Sequence, residues 1–112
     1  SSAQQQYLSI EGKLRLLDTI LKSGWVEASE TLKLQCLGIS FGDVVAQELG
    51  LEWVAVEDEY GRDPALRMPG TSVMLFPQTM ISKRVERGEE VDVREMFSGV
   101  CQKIREIAGR DA

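Results

Sequence analysis

The sequence predicts an α+β domain: two N-terminal helices, a three-stranded antiparallel meander, and two C-terminal helices packed on one face of the sheet. Two patterns and one balance support this. Apolar residues recur at three- and four-residue steps before residue 50 and again after residue 79, while short apolar runs bounded by Gly and Pro fill the interval. The 112 residues, 43% hydrophobic and 28% charged, suit one domain with one core over 1–112, with a frayed polar end at 1–5.

The first helix is expected from Gln6, with Tyr7, Ile10, Leu14, Leu17 and Leu21 as its apolar stripe and Leu8, Leu16 and Ile20 widening it. Gly12 weakens it by about 1 kcal/mol relative to Ala, so packing must hold it. Ser23-Gly24 closes it. After Trp25-Val26 a second helix is expected over 27–49. Leu32, Cys36, Ile39 and Val44-Val45 mark one side, and Leu34, Leu37, Phe41 and Leu49 carry the apolar surface nearly all round, which predicts a central helix covered on several sides. Gly38 and Gly42 share a face, where a neighbouring element is expected to approach closely. Asp43 has two readings: an exposed edge residue, or a partly buried carboxylate that hydrogen-bonds a backbone turn or a ligand.

Beyond Gly50, residues 51–56 read as a strand, with Trp53 and Ala55 on one face and Val54 and Val56 on the other. Residues 57–64 read as a long acidic turn, and Pro64, which cannot donate to a ladder, is placed at the start of the second strand, 65–68. Pro69-Gly70 has type II turn chemistry. A third strand is expected over 71–76, stopped by Pro77. A short helix follows at 79–87, with Lys83, Arg84 and Arg87 suiting its C-terminal dipole and Gly88 its cap. Asp92 and Glu95 stand at capping-box spacing before a last helix to about Ala108, striped by Val93, Met96-Phe97, Val100, Ile104 and Ile107.

The chemistry is narrowed by what is present. With 18 acidic and 13 basic residues the net charge is −5, unfavourable for nucleic acid and favourable for a basic protein partner. There is no His, so Ser-His triads and His-ligated zinc are excluded. No apolar run is long enough to span a membrane and no signal peptide is visible. Cys36 and Cys101 read as two buried, reduced thiols rather than a bridge, and a cytoplasmic location is expected. The chain opens Ser-Ser-Ala, as a trimmed product or a domain of a longer protein would.

Ser40, Ser72, Thr79, Ser82 and Ser98 lack an activating base, and no phosphate-binding glycine loop occurs. Glu57, Asp58, Glu59 and Asp63 are oxygen ligands suited to a hard cation, but their spacing departs from the calcium-loop pattern, so no metal or cofactor is assigned. Tyr60-Gly61 beside Trp53 offers an aromatic with a polar handle next to carboxylates, the chemistry of a recognition surface.

Gly42-Asp43, Gly50-Leu51, Trp53-Val54, Asp58-Glu59-Tyr60-Gly61 and Phe76-Pro77 together resemble the GD…WV…DEYG…P signature of a small bacterial domain family of unknown function, over roughly residues 30–105. The resemblance implies a helix-rich α+β fold and a bacterial origin. It brings no activity. If that family shares a site, Asp43, Trp53, Asp58, Tyr60 and Gly61 are the matching positions. The expected function is a non-catalytic protein-interaction or ligand-binding domain. The alternatives are a small metal-dependent enzyme using Asp43 with Glu57, Asp58 and Glu59, and an immunity or inhibitor protein for a cationic toxin. Monomer and homodimer both remain compatible with the sequence.

Overall fold

The computed structural model describes residues 9–111. Ser9 is extended, and its Oγ accepts the Gly12 N–H at 2.9 Å, so helix α1 (Ile10–Lys22) starts at Ile10 rather than Gln6. Tyr7 and Leu8 lie outside the described residues. Helix α2 (Thr31–Leu49) follows, then strands β1 (Glu52–Asp58), β2 (Gly61–Arg67) and β3 (Met74–Leu75), a 3-10 turn (Pro77–Thr79), helix α3 (Met80–Glu86) and helix α4 (Val93–Asp111). The expected order of two helices, an antiparallel meander and two helices is the observed one, with sheet order β1-β2-β3.

Helix α2 begins four residues later than expected. The Glu27 N–H donates to the Glu30 carboxylate and the Glu30 N–H to the Glu27 carbonyl, a local turn that uses the groups a helix would need. Lys33 is paired with Glu30; its ammonium is the main cause holding that carboxyl below the usual range, and Glu30 in turn raises Lys33.

The hairpin also departs from expectation. Residues 57–64 are not a long turn: β1 and β2 pair from Glu52↔Arg67 to Asp58↔Gly61, leaving Glu59-Tyr60 as the connection. Asp58 Oδ1 accepts the Tyr60 N–H at 2.8 Å, and Gly61 takes the positive φ of 137°. Asp first and Gly fourth is the composition of a type I turn. Pro64 sits inside β2, opposite Ala55. Counting outward from the turn, this is a non-hydrogen-bonded pair, so β1 asks no N–H of residue 64. β3 pairs only with Leu66 and Arg67, so it asks none either. Strand β3 is shorter than expected because residues 71–73 are used locally: Thr71 Oγ1 donates to the Met68 carbonyl and accepts the Val73 N–H. The Pro69-Gly70 turn forms, with the Thr71 N–H on the Met68 carbonyl and Gly70 at φ 79°.

Phe41, Leu34, Leu66, Ile81, Val44, Val45 and Val93 are the large side chains almost wholly removed from water. Each contributes about 1.5–3 kcal/mol of burial. They join Leu14 and Leu17 of α1 and Cys101 and Ile104 of α4 in one cluster centred on α2. Polar links tie the three long helices at the rim: Lys13 to Gln47, Arg105 to Glu48, and Arg94 to Glu11. These exposed contacts contribute little individually.

The close approach expected at Gly38 and Gly42 is present. A β-carbon on Gly38 would stand 2.6 Å from the Pro77 carbonyl oxygen and closer still to that of Gln78; on Gly42 it would meet Pro77 Cγ at 2.6 Å and the Trp53 ring at 2.7 Å. The two glycines thus seat the 3-10 turn and the sheet against α2. The radius of gyration, 14.5 Å, exceeds the roughly 13 Å of a compact chain of this length, consistent with a hairpin whose residues 57–63 are all exposed.

Candidate functional site

The five residues singled out from the sequence fall into two places. Asp43 is exposed and accepts the Trp53 indole N–H at 2.8 Å, so these two form one contact. The indole lies over Gly42 and is 37% exposed, with one edge packed and its polar atom satisfied. Asp58, Tyr60 and Gly61 sit at the hairpin tip, roughly 17 Å further along β1 at 3.3 Å per residue. Tyr60 is 90% exposed. Asp43 and the Glu57, Asp58 and Glu59 carboxylates therefore do not converge. Among the described residues no three acidic or thiol side chains are grouped to hold a metal ion.

A shallow depression of about 550 Å³ beside Trp53 is lined by Ile39, Val54, Ala55, Arg62, Asp63 and Pro64. Tyr60 takes no part in it. Elsewhere on α2, Leu32 is 75% exposed and Cys36 is exposed, one turn apart. Helix α2 is covered on several sides as expected, by α1, the 3-10 turn, α3 and α4, but the expectation of two buried thiols is corrected here. The side that carries Leu32 and Cys36 faces away from Gly38 and Phe41, and only Cys101 is buried. Burial, above all, raises the Cys101 thiol pKa, so its thiolate is disfavoured.

The larger concavity was not foreseen. Between β3, α3 and α4 runs a groove of about 870 Å³, within the usual range of ligand sites. Its floor is aliphatic and thioether: Val73, Met74, Leu75, Met80, Met96 and Val100. Methionine is unbranched and polarizable, so such a floor adapts to varied apolar shapes. Helix α4 supplies one wall through residues at helical spacing, Asp92, Glu95-Met96, Gly99-Val100, Lys103-Ile104 and Ile107. That wall spans about 22 Å at 1.5 Å per residue. Asp92 fixes its start, its carboxylate accepting the Glu95 N–H at 3.1 Å and its carbonyl the Met96 N–H at 2.9 Å.

Gly99 sits midway along the wall. A β-carbon there would meet nothing within 4 Å, so the missing side chain is open space on the groove side. The signal was present in the sequence: Val100 and Ile107, both half-buried, make the apolar surface of α4 wider than the stripe of Val93, Met96, Cys101 and Ile104 that the core buries. What the sequence did not reveal is that β3, only two residues long, would leave that extra width only partly covered.

A family model described as a domain of unknown function (DUF3806) matches residues 13–97. No curated protein and no solved structure matches the chain.

Proposed function

Given that the chain belongs to the DUF3806 family, a domain of unknown function, we propose that it is a non-catalytic binding module that receives an apolar-faced helix of a partner protein along α4. One observation carries the reading: a groove along α4, open at Gly99, whose lining leaves Met74 exposed and Val100 and Ile107 half-buried beside the buried Met96 and Ile104. A groove about 22 Å long matches four turns of helix better than it matches a compact small molecule. Its floor offers shape and burial, while its charged groups stand on the rim, the arrangement of a docking surface. No helix among the described residues is long and apolar enough to cross a membrane.

The test is an NMR amide titration with a synthetic, uncharged amphipathic helix bearing Leu on one face and Ala and Gln elsewhere. Saturable shifts confined to residues 92–107 and the Met74-Leu75 strand, abolished by Gly99→Leu, are expected. Shifts centred on Ile39 and Trp53, no shifts, or equal binding by Gly99→Leu would overturn the reading.

The hairpin tip offers a separate contact surface, about 17 Å along β2 from the Leu66↔Leu75 pair beside the groove. Tyr60 is 90% exposed on a turn braced by Asp58, so its ring is presented at low ordering cost. Tyr60→Ala should then weaken binding of a partner that uses this tip without changing the melting temperature, whereas Asp58→Ala, which removes the brace on the Tyr60 N–H, should also lower the melting temperature slightly.

A further inference from the structure

The rim of the groove is uneven in charge. Glu89 and Glu90, in the link before α4, and Asp92 and Glu95, at its start, line one end. The cations lining the groove are Arg84 and Lys103. Arg84 is half-buried and donates from Nη1 to the Met80 carbonyl of its own helix at 2.9 Å. Lys103 stands eleven residues after Asp92, about 16 Å down the helix. Among the described residues none of the four carboxylates is in an ion pair, whereas Glu11, Glu30, Glu48 and Glu52 each have a cationic partner. The α4 dipole accounts for Asp92 and Glu95, which fall in its first turn. It does not account for Glu89 and Glu90, which precede it.

Resting on the docking reading above, we propose that the helix received by the groove is cationic at the end that overlies residues 89–95, and that the groove selects its partner by that charge. Lysine or arginine placed there meets unpaired carboxylates at the mouth of an apolar cleft. Rim charges of this kind govern association rate and salt dependence and reject oppositely charged competitors. The Leu face supplies burial along the floor. The cationic end supplies register, because only one end of the groove attracts it. A partner with a uniformly acidic flank would be repelled at that same end.

The experiment uses three peptides with an identical Leu face, ending in Lys-Lys, Gln-Gln or Glu-Glu, titrated by fluorescence anisotropy in low and high salt. The Lys-ended peptide is expected to bind about tenfold more tightly than the Glu-ended one at low salt, with the gap closing as salt screens it. Glu89→Lys with Glu90→Lys, which leaves the Asp92 cap intact, should reverse the order. If all three bind alike at low salt, or the double variant keeps the original order, the charge inference falls while the groove reading stands. If none binds, or Gly99→Leu binds all three like the parent, both fall.

Discussion

Gly38 and Gly42 on α2 and Gly99 on α4 are all glycines inside long helices, each costing helix propensity, yet their surroundings are opposite. At the α2 pair, backbone and ring atoms stand where a side chain would begin; at Gly99 there is only space. The first pair is explained within the domain, because the close approach of Pro77, Gln78 and Trp53 joins sheet to helix. Gly99 joins nothing described. Gly109 of the same helix also meets open space, so what sets Gly99 apart is its place in the lining of the groove, where a side chain would fill the cleft.

Substitutions sharpen the contrast in descending order of effect. Gly38→Ala should cost about 3 kcal/mol in denaturant unfolding, because the intruding methyl meets two backbone carbonyls that cannot rotate away. A loss under about 1 kcal/mol would show that the 3-10 turn is looser than described. Gly42→Ala should cost about 2 kcal/mol, less because Pro77 Cγ and the Trp53 ring can shift. Asp43→Ala leaves the half-exposed indole N–H to water; it should cost about 1 kcal/mol and change Trp53 fluorescence, whereas an unchanged spectrum would break the assigned contact. Gly99→Ala should instead stabilise by about 0.5–1 kcal/mol, and a loss there would erase the distinction between the glycines.

The two thiols give a smaller contrast of the same kind. Cys36 should react with a thiol reagent at pH 8 at nearly the rate of a free thiol, while Cys101 reacts only as fast as the protein opens. The folded Cys101 thiol has its pKa raised, so its contribution to stability is complete below the unfolded thiol value. It is lost as pH climbs through the folded one, and stability declines on the alkaline side. Equal reactivity of both cysteines would contradict the burial of Cys101.

The helices and the order of the strands were legible because 3.6-residue periodicity, caps and turn residues act locally. Ser23-Gly24, Pro69-Gly70 and Asp92 each did what their chemistry requires. Reading the close approach at Gly38 and Gly42 was possible because a glycine pair four apart in an apolar helix has few other uses. The hairpin was misread because Pro64 and four acids resemble a loop when the pairing parity that tolerates proline is unknown. The start of α2 was misread because Glu27 and Glu30 close a turn that periodicity does not register. Cys36 looked buried because the apolar residues of α2 surround its axis, and sequence does not say which side its neighbours leave open. The groove was hidden for a related reason: its floor comes from β3, α3 and α4, and only the fold brings Met74, Met80 and Met96 together.

The central claim is that Gly99 keeps open a surface the fold itself does not use. The most direct measurement is of Gly99→Leu, taking thermal unfolding and affinity for the Leu-faced helical peptide from the same preparation. The account predicts a melting temperature at or above that of the parent, with peptide binding lost. A lowered melting temperature, or binding retained, would contradict it.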